Sequence, residues 1–573
     1  MLANTEIQKL YSSARINREY SGSLANIHAK SFYRAKIVSF FAFVLTSLII
    51  FRLVYINTYN TNFLAKQMST RIERTIKIPA MRGTITDRNG NPLAVSTPMS
   101  SIWVDPSALD ILANSQISAI ANILGLSVAD LNEKLNQKNK TFVYLKREIS
   151  PQQADQIKQL NIHGIYSLQE FKRYYPDGEI AAHVVGFNNI DDVGIAGMEY
   201  ADNNDLKGTD GAQRIIRDRQ GNVVENLGVN SVAQNGKTVN LSIDNRLQYI
   251  AYTAIKDQVK KFHAKGGSAV VLDAKTGEVL AMVNMPTFNP NNKASASIQS
   301  LKNSAITNVY DPGSIMKPLV VAKALNDKLV TPQTVFNTNP YYVGPKLIKD
   351  DEPEPSLSVR DILIRSSDIG TSKIALKYKP YDLWRYYQQV GFGDKLNTGF
   401  PGETNGILLN WKKWHPLDQA LMSYGYGISV SLLQMAHAYT IFTNNGCILP
   451  VSFYKTNTET KCNQLISSTT ANTVRQILAE NTEKGTGRNA QLPDYTTAGK
   501  TGTAQKLING HYSDRNHISS FVGFAPDSNP KLIIAVMIDE PKGSYYAATV
   551  AAPVFAQIAG PSLHALGVKP DRQ

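Results

Sequence analysis

From Ile37 to Phe51 the chain is apolar and uncharged. With Leu53-Val54-Tyr55-Ile56 beyond Arg52, the run reaches about 20 residues, enough to cross a bilayer once as a helix. Arg52 can place its guanidinium at the interface. A buried core helix or a cleaved signal peptide would share this composition. A signal peptide fits poorly, because a long polar tail precedes the run and no small-residue cleavage site follows it. Residues 1–36 hold six Lys/Arg against two Glu and read as a loosely ordered tail. Lys/Arg residues are similarly abundant at the two ends of the run, so the positive-inside rule gives no clear orientation.

Beyond the anchor the pattern divides near Asn235-Gly236. Residues 57–235 read as a mixed α/β region. Asn89-Gly90 marks a tight turn in a hairpin spanning Arg82 to Ala94, and Ala129–Asn136 and Pro151–Leu160 read as short helices. Glycine and charge mark Gly194 to Gly221. After Asn235-Gly236, Thr238–Ser242 reads as a strand, and Asp244 can cap a helix running to about His263. Leu247, Ile250, Ala251, Ala254, Ile255, Val259 and Phe262 form its apolar face. Gly267–Leu272 and Glu278–Val283 are strands about an Asp273–Gly277 turn, and residues 310–440 are mostly helical. Thr496–Leu507, His517–Phe524 and Lys531–Ile538 are three more strands, the first two joined at Asn509-Gly510. Ala552–Leu566 is a helix broken at Gly560-Pro561. Strands at both ends of a helical block predict an α/β domain over 236–566, with one sheet closed by the two ends of the domain. A short tail, 567–573, follows.

Composition changes this picture little. The 573 residues are 43% hydrophobic and 18% charged, too long for one core. The net charge of +14 and pI near 9.3 favour anionic surroundings, but no nucleic-acid-binding signature accompanies them. The nine histidines are scattered and the two cysteines form no C-x-x-C, so no metal site is expected. In a simple hairpin turning near Thr458, Cys462 faces Tyr454 rather than Cys447; a disulfide is open to the pair only outside the cytoplasm.

Three short segments carry candidate chemistry. Ser314 and Lys317 lie three residues apart in Pro312-Gly313-Ser314-Ile315-Met316-Lys317-Pro318, so a helix starting there puts both on one face. A neutral lysine can take the serine proton, and the helix start suits an oxyanion. Ser366-Ser367-Asp368 falls between two helical stretches, 359–365 and 369–378. It reads as a helix cap, or as a hydroxyl that relays a proton beside an acid that holds a lysine or a substrate amide. Lys500-Thr501-Gly502-Thr503 sits on a strand, where small residues let a peptide lie alongside as an extra strand. It reads as an edge strand guarded by lysine, or as a cation with hydroxyls that hold a carboxylate. A second cation would favour the neutral form of Lys317.

In this order the motifs S-x-x-K, S-x-[ND] and K-T-G are far more specific than any one alone. With Arg82-Gly83, Asp87-Arg88-Asn89-Gly90, Tyr174-Tyr175-Pro176, Gly197-Met198-Glu199, Arg217-Asp218-Arg219, Gly277-Glu278-Val279, Tyr424-Gly425-Tyr426-Gly427 and Ala552-Pro553-Val554-Phe555, the chain resembles a class B penicillin-binding protein over nearly its whole length. It most resembles the cell-division (septal) transpeptidases of Gram-negative bacteria. Asp368 stands where that branch usually has Asn and where elongation-type relatives often carry Asp.

The resemblance implies a penicillin-binding, serine β-lactamase-like transpeptidase domain (an antiparallel sheet with a helical block) on a non-catalytic pedestal and one transmembrane helix. It implies Ser314 as nucleophile, Lys317 as base, and Ser366, Asp368 and Lys500 as further catalytic groups. Thr501, Gly502 and Thr503 would hold the substrate carboxylate and the oxyanion. Peptidoglycan stem peptides and β-lactams are the implied ligands, with no cofactor. A septal polytopic glycosyltransferase and other division proteins are the implied partners. The catalytic domain would lie in the periplasm, anchored in the inner membrane with a cytoplasmic N-terminus. A hydrolytic carboxypeptidase or β-lactamase, and a non-catalytic β-lactam sensor, are the competing readings.

Overall fold

The computed structural model describes residues 4–58, 63, 73–217, 223–456 and 461–572. They form two compact units, 1–77 with 212–231, and 78–211 with 232–573.

The first unit holds a helix over Asn4–Thr58 and a three-stranded sheet of Glu73–Ile78, Gly211–Arg217 and Val223–Ser231. Among the described residues the one candidate membrane span is Ser31–Thr58, whose most apolar 18-residue stretch has a mean hydropathy of 2.4 and whose apolar side chains are exposed. The expected loose tail is instead helical from Asn4, and no proline interrupts residues 4–58. Arg217-Asp218-Arg219 runs partly into residues outside those described.

In the second unit, the front half is a five-stranded sheet with helices on it. Ile85–Thr86 pairs antiparallel with Pro92–Val104 through the expected turn, Gly90 taking a left-handed φ of 87°. Helices Asn114–Leu124, Val128–Leu135 and Pro151–Gln159 bury Ile120, Leu124, Leu131 and Ile157 against Ile102, Leu145 and Ile149. A fully buried carboxylate, Glu199, holds two distant arginines: Arg82 Nε and Arg173 Nε each lie 2.6 Å from its oxygens. Arg82 also donates to the carbonyls of Glu199 and Asp192.

The rear half is a three-layer sandwich. Strands β1 (Gly266–Asp273), β2 (Val279–Met285), β3 (Ala498–Ile508), β4 (His511–Ala525) and β5 (Leu532–Asp539) form an antiparallel sheet in the order β2-β1-β5-β4-β3. β1, β2 and β5 are buried on both faces and read as near-continuous apolar runs rather than alternating ones. Ala269, Val271, Ile534 and Val536 pack under helices α1 (Asn245–Lys261) and α6 (Ala552–Ala565). Val270, Leu272, Ile533 and Ala535 face the helical block that contains α2 (Lys317–Asn326), α3 (Val359–Arg365), α4 (Asp368–Ala375) and α5 (Ser468–Lys484). Asp244 caps α1, accepting from Arg246 N.

Three expectations change. Helix α6 runs through Gly560-Pro561 unbroken. Ile558, Ala559, Ser562 and Leu563 share its buried face, and the carbonyl that Pro561 leaves unpaired belongs to exposed Gln557, where water reaches it. Strand β4 starts at His511, six residues ahead of the expected His517, because β3 and β4 stay paired out to Asn509-Gly510. Cys447 and Cys462 form a disulfide with Cα atoms 5.6 Å apart. Residues 449–456 do not form the simple hairpin that would set Cys462 opposite Tyr454: Tyr454 bridges to Leu241, and Ser242 N donates to Phe453 O. The return strand Asn463–Gln464 then brings Cys462 beside Cys447.

The buried Arg82–Glu199–Arg173 triad generates a test of the front half. Glu199→Ala leaves two buried guanidiniums unpaired, and breaking such a pair costs about 3–5 kcal/mol. Calorimetry should show an earlier first unfolding transition for Glu199→Ala, with Glu199→Gln between it and the wild type; an unshifted transition contradicts the triad's role.

Candidate active site

Residues 310–318 approach the site as an anchored turn. Tyr310 exchanges backbone hydrogen bonds with Val430, at 3.0 and 2.9 Å. Asp311 accepts from Ser429 Oγ (2.7 Å), Gly427 N (3.2 Å) and Tyr512 OH (2.6 Å). Gly313 N donates to Gly425 O, and a Cβ at Gly425 would lie 2.2 Å from Gly313 O. That close approach explains the glycine of Tyr424-Gly425-Tyr426. Gly313–Met316 is a 3-10 turn that passes directly into α2, with Pro318 in its first turn, as its missing N–H requires. Side chains three apart nearly eclipse in such a turn, so Ser314 and Lys317 share a face. Ser314 is partly exposed, whereas Gly313, Ile315 and Met316 are buried.

Lys317 is fully buried and its Nζ is shared. It lies 2.6 Å from Asp368 Oδ1 and 3.1 Å from Ser366 Oγ, and it also donates to Ser366 O. Ser366 ends α3 in the left-handed region, φ 63° and ψ 42°. That conformation costs a non-glycine residue about 1–2 kcal/mol. Here it turns both the carbonyl and the hydroxyl toward the lysine. The helix cap falls on Ser367, which caps α4, accepting from Gly370 N at 2.9 Å, and donates to Asp350; Ser366 is left to face Lys317.

Strand β3 is the sheet edge, so one side of its backbone has no strand partner among the described residues. Gly502 lies on the serine turn: a Cβ there would fall 2.8 Å from Pro312 O and 3.0 Å from Ile315 Cγ2. Lys500 is fully buried and donates weakly, at 3.3–3.4 Å, to Thr486 Oγ1, Thr501 Oγ1 and Thr501 O. Thr486 and Thr501 share a 2.7 Å hydroxyl contact. Thr503 Oγ1 accepts from Ala547 N.

The two lysines differ in their surroundings. Asp368 is an acid that holds a lysine, one of the expected roles, and the lysine it holds is Lys317. Burial lowers the Lys500 amine well below its ordinary range, the Lys317 charge adds to the effect, and Asp368 opposes it. The Asp368 side chain is 32% exposed. Burial still raises its carboxyl, against the pull of Lys317, and Asp350 and Asp351 raise it further. An acid held up beside an amine is placed to exchange a proton with it.

Lys317, Ser366 and Asp368 are thus in direct contact, and Gly502 presses on the turn that carries Ser314. Lys500 reaches them only through its field. Sequence reasoning missed Thr486, Asp350 and Asp311, which hold Lys500, the Ser367 loop and the serine turn. Only Thr486 carried a signal, in Gly485-Thr486-Gly487 at the end of α5. Among the described residues no acid, histidine or cysteine cluster could hold a metal.

A serine and a lysine on a turn beneath the edge strand of a helix-covered antiparallel sheet define the class of serine acyl-transfer enzymes. Comparison with known proteins narrows the class. Residues 267–560 match the penicillin-binding protein transpeptidase domain, and residues 77–241 match the penicillin-binding protein dimerisation domain. The chain is 41% identical over 534 residues to "Probable peptidoglycan D,D-transpeptidase PenA" of Neisseria gonorrhoeae, covering 92% of each chain. It is 36% identical over 528 residues to "Peptidoglycan D,D-transpeptidase FtsI" of Escherichia coli K12, covering 91% of this chain and 90% of that one. A peptidoglycan synthetase structure from Bifidobacterium adolescentis superposes with a TM-score of 0.70 at 23% identity, over 87% of this chain and 98% of that one, and so shares the fold. The chain belongs to the class B penicillin-binding proteins, with a dimerisation domain ahead of a serine-type transpeptidase domain.

The Asp368 contact predicts a pH signature. Protonating Asp368 removes the partner of Lys317, so acylation by benzylpenicillin should fall as pH drops through a pKa above the usual carboxylate range. Asp368→Asn should lack this acidic limb yet stay within about tenfold of the wild type at neutral pH, since an amide oxygen still accepts from Lys317. Stopped-flow acylation from pH 4.5 to 9 checks this, and an identical acidic limb in the variant would count against it.

Proposed function

We propose that this chain cross-links peptidoglycan stem peptides at the division septum through an acyl-enzyme on Ser314. The observation that carries the reading is the Lys317 Nζ seated between Ser366 Oγ and Asp368 Oδ1, one 3-10 turn from Ser314. Ser314 Oγ attacks the carbonyl of the penultimate D-Ala while Lys317 as base takes its proton. The new ester replaces the bond to the terminal D-Ala, whose nitrogen receives a proton through Ser366. Backbone N–H groups of Ser314 and Thr503 receive the oxyanion, each such donor being worth about 3–4 kcal/mol. Thr501 and Thr503 hold the terminal carboxylate, with the Lys500 side chain beneath them, and Gly502 lets the donor peptide lie along β3. An amine from a neighbouring stem then attacks the ester, forming the cross-link and freeing Ser314. The peptide bond already carries the free energy, so no ATP or cofactor enters. β-Lactams mimic D-Ala-D-Ala and leave Ser314 acylated.

The disulfide and the apolar helix support a single-pass inner-membrane protein with its N-terminus in the cytoplasm and residues 236–566 working in the periplasm, where disulfides persist. Residues 57–235 then serve as a pedestal that sets the height of the site and docks other division proteins. A polytopic glycosyltransferase would supply the glycan strands. Asp368, common in elongation-type relatives, favours elongation as the second reading.

Mass spectrometry of the penicillin-treated protein should place the adduct on Ser314, and Ser314→Ala should abolish it; labelling that survives the substitution refutes the nucleophile. Depleting the protein should give filaments if it acts at the septum, whereas round cells would assign it to elongation.

A further inference from the structure

Away from Ser314, a cavity of about 390 Å³ opens between strand Ile165–Tyr174 and the short hairpin at Phe187–Ala196 of the front half and the loop at residues 290–293 of the rear half. Its walls are fixed. Asn291 accepts from Tyr175 N (3.0 Å) and donates to Tyr175 O (2.8 Å), while Tyr175 OH is bonded to both Oδ1 and N of Asn188. Its floor is apolar and partly aromatic, with Phe187, Ile195 and Pro290.

The charges around it are unbalanced. Lys172, Arg173 and Lys293 line the cavity with one carboxylate, Glu148, which lies 3.6 Å from Lys172. Lys293 forms no ion pair among the described residues; its Nζ sits 4.8 Å from the centre of the Phe187 ring and 3.4 Å from Pro290 O. Arg173 gives its Nε to Glu199 and its Nη1 to Ser96, but its Nη2 is buried without a partner. A buried donor left unpaired costs about 1–3 kcal/mol, more when charged, and a ligand that accepts from it recovers that cost. Burial also lowers the Lys293 amine, opposed by Glu148 and reinforced by Lys172. An anion between the two lysines would relieve their repulsion.

We infer that this cavity is a second peptidoglycan-binding site, which takes a carboxylate-bearing sugar-peptide unit with its ring on Phe187 and its carboxylate between Lys172 and Lys293. The inference rests on the substrate proposed above. A pre-formed concavity of this size suits a small ligand better than a flat protein interface. The ligand is also at hand: one unit of the polymer held at Ser314 keeps its neighbours at high effective concentration, so a weak second site still holds the strand.

The test uses the full chain in detergent with Ser314 acylated by benzylpenicillin, so that the catalytic cleft is occupied. A disaccharide tetrapeptide is titrated by calorimetry. The wild type should bind it saturably, and Lys172→Ala/Lys293→Ala should bind at least about tenfold more weakly with an unchanged penicillin acylation rate. No saturable binding, equal binding by the double variant, or equal binding of a probe with amidated carboxylates would overturn the site. Preference for an acidic peptide without sugar would overturn it too, in favour of a protein partner. Intact mass of the same sample reports acylation separately. If acylation fails, the titration on Ser314→Ala still decides the cavity.

Discussion

The site depends on a backbone approach that only glycine allows. Edge strand β3 crosses the serine turn so closely that a Cβ at Gly502 would meet Pro312 O at 2.8 Å, and the turn in turn rests on Gly425. Nothing with a side chain fits at either layer. The stack fixes the height of Ser314 relative to the free edge of β3, which is what a peptide lying on that edge requires. Asp311 reinforces it from below, joining the turn to Gly427, Ser429 and the Tyr512 hydroxyl of β4.

Once that geometry is set, charge does the rest. Two fully buried lysines and one partly buried acid occupy the site. Their roles separate by partner. Lys317 has a carboxylate and a hydroxyl at hydrogen-bonding distance; Lys500 has only threonine oxygens and is pushed toward its neutral form. The same residue type therefore sits in two environments, an ion pair in one place and a ring of threonine oxygens in the other.

The front half is joined to this machinery by segment 449–456. It pairs with Leu241 and Ser242, bonds Asp202 through the Tyr454 hydroxyl and reaches Arg88 O through Lys455. The disulfide closes the base of that segment. The buried Glu199 triad does similar work within the front half, pulling together residues 82, 173 and 199 that are far apart along the chain. Motifs without chemistry of their own thus carry the load of holding the catalytic half in place.

Much of this was legible from residue order alone. Periodicity located α1 with its Asp244 cap, the Asn89-Gly90 turn, and the strands on either side of the helical block. The spacing of Ser314, Lys317, Ser366 and Lys500 singled out the residues that the fold gathers. Local pattern suffices there, because caps, turns and apolar periods are set by neighbours within a few residues. It did not suffice for Pro561, whose helix survives because Leu563 and Ile558 are buried on one face, or for Cys462, whose partner depends on where residues 449–456 dock. Nor could it tell how strongly burial would push Lys500 toward its neutral form. That depends on how much water each lysine is denied and which carboxylate comes within reach, and both are settled only when segments distant in sequence pack together.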